Sequence, residues 1–346
     1  MVSWAGPVLG MAGPLLVDAE MTAIFSPGTE LDAMLAVERA LAGARAELGE
    51  MDTACLAAID EAAVMSNIDG DGLARGLARD GVVVPALVRQ MRASIGAPHA
   101  AEFHLGATSQ DITDTALMMR LKRAVALLSD RLGDLVDRLR HISERQGSRP
   151  VMARTRFQDA LAMTFGDRIE TWSGPLQGLL ETAPDRFPLQ LGGPIGRRAQ
   201  AFGEQSDAIA AAVARKLGLT PCSGSWHTDR RAIMDIVHWV TSISAALGKI
   251  GHDVALMTQT AVAEVSVSDG GASSAMPHKN NPVQAELLIT LARYVAGQRA
   301  MLDTASLHEN ERSGVAWTLE WLVLPPAVIG CGAATLVADD LLAKIE

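Results

Sequence analysis

Apolar residues recur at intervals of three and four along most of the chain, the period of a helix with one buried face. In the stretch 30–48, Leu31, Met34, Leu35, Glu38, Leu41 and Leu48 fall on or near one face. Ser26-Pro27-Gly28-Thr29 starts that helix, with Pro27 tolerated in a first turn, and Gly49 stops it. The stretch before it, 1–16, is punctuated by Gly and Pro and predicted to be irregular. Shorter helices are predicted over 51–64, 71–78 and 85–93, and Val82-Val83-Val84 is too short a β-like run to make a sheet. A long helix follows over 112–146, with Leu117, Leu121, Val125, Leu128, Leu132, Leu135 and Leu139 at helical spacing, and Arg149-Pro150 ends it. The next helix is predicted to begin after 154–158 and run through Trp172 toward Leu180, and another covers 199–217. The longest periodic run, 228–265, carries Ile233, Ile236, Val240, Ile243, Leu247, Ile250, Val254, Met257 and Ala261. As one helix it would span about 55 Å at 1.5 Å per residue. Gly248 and Gly251 within it allow either close helix approach or a break. Helices over 283–302 and from Trp317 past Pro325-Pro326 to Glu346 complete the pattern.

The expectation is an all-α protein: a small N-terminal helical domain, 1–105, and a long-helix bundle, 106–346. A helix of this length cannot bury itself within one small domain, which predicts association of several copies.

Composition narrows the functional classes. Of 346 residues, 49% are hydrophobic but only 4% aromatic, which favours helices. The formal charge of -10 argues against a nucleic-acid partner, which calls for a basic face. Cys55, Cys222 and Cys331 are scattered without metal-ligand spacing, as in a reduced cytoplasmic setting. The N-terminus lacks a basic region ahead of its apolar residues, so no secretory signal is predicted. No uninterrupted apolar window long enough to cross a membrane is read, and no membrane partner is expected. Without a Gly-rich phosphate loop or a His/Cys cluster, neither cofactor nor metal is expected.

Four polar islands interrupt the apolar helices, at 102–111, 154–158, 269–282 and 308–312. The third, Gly270-Gly271-Ala272-Ser273-Ser274-Ala275-Met276-Pro277-His278-Lys279-Asn280-Asn281-Pro282, sets hydroxyls, a cation and amide donors just ahead of a predicted helix N-terminus. That combination suits binding a carboxylate and moving a proton beside it. The first holds His104 and Thr108-Ser109-Gln110-Asp111. A lone His is ordinarily a buried group satisfied by backbone, and Thr108 and Ser109 can equally cap the following helix. Arg312 can hold a carboxylate in a fork or pair with Glu309 or Glu311. Arg197-Arg198 is read as a solvated helix start.

Ser273, Ser274, Met276, Pro277, Lys279, Asn281 and Pro282 match a signature, and the chain resembles the fumarase/aspartase superfamily through it, with Ala272 where Gly is usual. His104-x-Gly106-x-Thr108-Ser109-x-Asp111 resembles a second region of the superfamily, and Arg154-Thr155-Arg156-Phe157-Gln158 a third. In the third, Arg156 stands where most of these lyases carry the His that protonates the leaving group. Arg cannot give up a proton near neutral pH. A carboxylate, with a pKa near 4, needs none when it leaves or attacks. The departure therefore points away from fumarase, aspartase, adenylosuccinate lyase and argininosuccinate lyase chemistry. Together with His308-Glu309-x-Glu311-Arg312, Trp317 and Glu320-Trp321, it makes the chain most similar to the branch of bacterial 3-carboxy-cis,cis-muconate cycloisomerases.

That resemblance implies a homotetramer whose shared active sites act on a small tricarboxylate, closing carboxymuconolactone in aromatic catabolism. It implies proton transfer by Ser273, supported by Lys279, with His104 as a further catalytic candidate. Thr108, Ser109, Gln110, Asn281, Gln158, Arg154, Arg156 and Arg312 would bind the substrate. It also implies a small C-terminal helical domain, expected to be missing because the sequence stops at Glu346. The alternatives are β-elimination of the adenylosuccinate lyase kind, or a non-catalytic helical scaffold of the same fold.

Overall fold

A computed structural model describes residues 10–276 and 278–346. Positions 1–9 of the N-terminal stretch, and Pro277 in the signature loop, lie outside the described residues. Gly10–Leu16 forms a short 3-10 helix where irregular chain was expected. Helices α1 (Ala19–Ile24), α2 (Pro27–Glu47), α3 (Thr53–Ala62), α4 (Gly70–Asp80) and α5 (Val84–Ile95) make up the N-terminal part. Their starts follow the local chemistry. Ser26 Oγ accepts the Thr29 N–H at 3.3 Å, and Asp52 Oδ1 the Cys55 N–H at 2.6 Å. Met34, Leu35, Ile59, Leu87, Met91 and Phe103 form a buried core that Ile112 and Ala116 of the next helix close.

That helix, α6 (Ser109–Gln146), begins three residues earlier than its apolar period suggests, because Thr108 sits at its N-cap and Asp111 accepts the Thr108 N–H. After it the chain departs from the helical expectation. Strands β1 (Pro150–Thr155) and β2 (Gln158–Thr164) pair antiparallel, and helix α7 starts only at Phe165, running to Glu181. The predicted helix 199–217 is split into α8 (Arg198–Phe202) and α9 (Ser206–Leu217) at Gly203, whose φ is 69°. Helix α9 packs on α2, giving a further small core from Leu41, Ala44, Leu189, Phe202, Ile209 and Val213.

Helices α10 (Arg231–Met257), α11 (Val283–Ala305) and α12 (Gly314–Ala343) complete a bundle with α6 and α7. Helix α10 has 27 residues and so spans about 40 Å, shorter than the expected 55 Å. It runs unbroken past Gly248 and Gly251, which serve close approach. A Cβ at Gly251 would lie 2.5 Å from the Ala285 carbonyl oxygen, and one at Gly248 2.6 Å from the Ala292 Cβ. Helix α12 is long and apolar enough to cross a membrane, contrary to the sequence reading, but 61% of its apolar window is buried. It is the bundle's central helix, lying against α6, α10 and α11.

Candidate functional site

The long helices alternate in direction, so polar segments between them collect at two opposite ends of the bundle. At the first end are the start of α6, the loops at 190–197 and 222–230, and the loop ahead of α12. The hub is Asp111. Its carboxylate accepts the N–H groups of Thr108 (3.0 Å), Gly192 (2.7 Å) and Gly193 (2.9 Å) and faces His227 Nε2 at 3.0 Å. An ionised carboxylate only accepts, so His227 donates from Nε2, and its Nδ1 is buried without a partner among the described residues. Thr108 and Ser109 are half-buried beside this hub.

Beneath it lies a second buried network. Arg230 donates through Nη1 to Asp114 Oδ2 at 2.6 Å, and through Nε and Nη2 to Glu320 at 3.0 and 2.6 Å. Asp114 also accepts from Trp317 Nε1 at 3.1 Å and Gln110 Nε2 at 3.1 Å. The two carboxylates hold the guanidinium firmly protonated, while burial raises Glu320, whose donor among the described residues is Arg230. Gln110, expected to bind substrate, is fully buried in this network, with Oε1 unpaired among the described residues. His308 lies close by, and burial together with Arg230 lowers its pKa, favouring the neutral imidazole.

His104 adopts a left-handed φ of 64° and contacts Glu38 through Nδ1 at 2.6 Å. Its partner is therefore a carboxylate rather than backbone. Arg312 donates to the Pro194 carbonyl at 2.6 Å and pairs with neither Glu309 nor Glu311. Arg198 is not solvated. It is buried, donating to the carbonyls of Leu191 (2.8 Å) and Cys222 (2.7 Å) and to Asp207 (2.9 Å).

At the second end, about 40 Å away along α10, are the hairpin and the signature loop. Gly271 and Asn281 close the loop's base through paired backbone bonds of 2.8 and 2.9 Å, and Asn281 Nδ2 adds a bond to the Gly271 carbonyl at 3.0 Å. Ser273 Oγ accepts the N–H of Met276 at 3.1 Å and of Ala275 at 3.4 Å. Two donors aimed at one hydroxyl oxygen favour negative charge on it. Lys279 is exposed on the same loop. Arg154 pairs with Glu264 (2.9 Å) and Asp159 (3.0 Å), the former holding Glu264 below the usual carboxylate range against its burial.

Arg156 and Phe157 form the hairpin's two-residue turn, closed by the strand pair Thr155–Gln158. Their φ values of 50° and 65° fit a type I′ turn, which normally takes Asn-Gly. This island is thus a hairpin tip, not a helix end. Phe157 is 84% exposed, and the Arg156 side chain makes no hydrogen bond or ion pair to the described residues.

One chain therefore carries His104, Thr108, Ser109, Gln110 and Arg312 at one end, and Ser273, Lys279, Asn281, Arg154, Arg156 and Gln158 at the other. The sequence reading missed Glu38 as a polar partner, having counted it on an apolar face. It also missed His227 and the Asp114–Arg230–Glu320 network, whose members are too far apart in sequence to show a spacing.

The fold and these motifs are those of a lyase. A family model described as Lyase matches residues 18–297, and the chain belongs to that family. It is 38% identical over 340 residues to the 3-carboxy-cis,cis-muconate cycloisomerase of Pseudomonas aeruginosa, an alignment spanning 95% of this chain and 73% of the relative. It is 35% identical over 349 residues to nitrosuccinate lyase from Streptomyces davaonensis, spanning 96% and 74%. Among solved structures, the 3-carboxy-cis,cis-muconate lactonizing enzyme from Pseudomonas putida superposes with a TM-score of 0.89 at 34% identity, covering 97% of this chain and 77% of that one.

Proposed function

We propose that the chain is a cytoplasmic cycloisomerase that converts 3-carboxy-cis,cis-muconate to carboxymuconolactone. The observation that carries the reading is Arg156, a cation without a partner among the described residues, on an exposed hairpin tip where proton-donating lyases of the superfamily place His. One substrate carboxylate adds through oxygen to an alkene carbon. The charge passes through the neighbouring carbon onto the carboxylate it bears, giving an aci-carboxylate, and that carbon then takes up a proton. A carbon–oxygen bond forms, nothing leaves, and one proton is consumed per lactone. Ser273 is positioned to deliver that proton, since its loop donors stabilise the alkoxide left behind. Lys279, Asn281, Thr108 and Ser109 stabilise the intermediate, and Arg156 orients the attacking carboxylate.

These residues lie at opposite ends of one chain, so the complete site requires other copies. A homotetramer, in which the first end of one bundle meets the second end of another, supplies that arrangement. The backbone strain at Arg156-Phe157 fits a tip whose conformation serves such a contact. Replacing Arg156-Phe157 with Asn-Gly should relieve it, raising stability by about 1 kcal/mol or more while lowering lactonisation. Thermal melts beside turnover assays check this, and full activity in the more stable variant would remove the tip from the site.

The similarity to nitrosuccinate lyase supports a second reading, β-elimination from a nitro-substituted succinate. Its anionic leaving group would likewise require no proton from residue 156. A pH-stat separates the two readings. Lactonisation takes up one proton per turnover, whereas elimination of an anion from a dianionic succinate releases one. Proton uptake with 3-carboxy-cis,cis-muconate, and no turnover of nitrosuccinate, is the expected result.

A further inference from the structure

We propose that Glu38 is a positioning residue that makes His104 a charged anchor for a substrate carboxylate instead of a proton-transfer group. The proposal rests on the reading of the substrate as a carboxylate. Glu38 projects from α2 and is 2% exposed, although it sits among apolar helix positions. Its Oε1 lies 2.6 Å from His104 Nδ1, and its Oε2 is buried without a partner among the described residues. A buried carboxylate half-satisfied in this way needs a cation, and the imidazolium is the group in contact with it.

The backbone enforces the contact. His104 takes a φ of 64° at the turn before α6, a left-handed conformation uncommon among non-glycine residues. Two residues on, the approach of Phe202 fixes the loop. A Cβ at Gly106 would lie 2.6 Å from the Phe202 ring. With Nδ1–H committed to Glu38, the remaining donor is Nε2–H, which has no hydrogen-bond partner among the described residues. It belongs to the same loop as Thr108 and Ser109, on the half-buried face expected to meet substrate.

The charged groups facing the imidazole are Glu38 from α2, Asp111 from α6 and Arg92 from α5. Burial opposes the charge and so does Arg92. Glu38, by Coulomb attraction and hydrogen bonding, and then Asp111 outweigh them, and the pKa of His104 is raised. The pairing thus stabilises the fold fully below the ordinary histidine range and is lost as pH rises through the raised value.

The test is the titration of His104 by NMR of histidine-labelled protein, its resonance assigned by its loss in His104→Gln. Propane-1,2,3-tricarboxylate is the probe. In the wild-type chain the midpoint should lie above the ordinary value of 6.5 and rise further when the tricarboxylate is added. In Glu38→Gln it should fall to the ordinary value or below, with binding of the tricarboxylate at pH 7 weakened about tenfold. A wild-type midpoint at or below the ordinary value overturns the proposal, as does one that the tricarboxylate leaves unmoved. Both wild-type readouts stand even if Glu38→Gln does not fold. No turnover is involved, so failure here and failure of the lactonising activity are separately visible.

Discussion

Ser273→Ala should lose about 100-fold or more in kcat while the protein folds and associates as before. The hydroxyl accepts only from Ala275 and Met276, its neighbours in a largely exposed loop, and no core residue rests on it. The base of the loop is held independently, by the Gly271–Asn281 backbone pair and by Asn280 Nδ2 on the Val267 carbonyl at 2.8 Å. Stability should therefore change by about 0.5 kcal/mol or less. Turnover, a thermal melt and light scattering on the same preparation check all three parts. Near-normal turnover would move proton delivery to Lys279 or another group.

Arg230→Met should produce the largest loss of stability, about 3–5 kcal/mol, because it leaves Asp114 and Glu320 buried together with no cation between them. Arg230 also stacks on Trp226 at 4.9 Å, so packing is lost with the charge. Glu320→Gln should cost much less. It leaves one carboxylate against one guanidinium, and Asp114 keeps its bonds to Trp317 and Gln110. Denaturant unfolding at fixed protein concentration measures both. A change of under about 1 kcal/mol for Arg230→Met would mean that solvent reaches the network and screens it.

The helices were legible because each buries one stripe, and the stripe repeats with the helix. The hairpin was not, for the same physical reason. Strand β2 has no buried residue in the chain, with only Met163 half-buried, so no alternation of apolar and polar positions marks it. Its Ala160, Leu161, Ala162 and Met163 then read as a helix continuing into α7. The overlong α10 has a different cause. Past Thr258 the chain turns, with Glu264 N–H returning to the Met257 carbonyl at 3.0 Å, yet Ala261 keeps the helical spacing and Val265 still buries in the bundle core. Their apolar character extended a period that the backbone had left. The signature loop and the Thr108–Asp111 segment were visible as motifs, but their placement was not. That they lie at opposite ends of the bundle follows from the direction of each helix, which residue spacing does not carry. Arg312 shows the limit for single side chains. Its neighbours in sequence suggested a glutamate partner, and the fold supplied the carbonyl of Pro194.

The direct test of a lactonising site split between copies is reassembly from two disabled parents. One parent is Ser273→Ala, disabled at the signature-loop end. The other carries His104→Gln with Ser109→Ala, disabled at the α6 end. Each is assayed alone with 3-carboxy-cis,cis-muconate. The two are then dissociated in mild denaturant, mixed, and reassembled, with hybrid content read by native mass spectrometry. Activity in the hybrids well above the sum of the parents is the expected result, because some sites then combine two intact ends. Hybrids no more active than their parents would contradict a site built from separate chains.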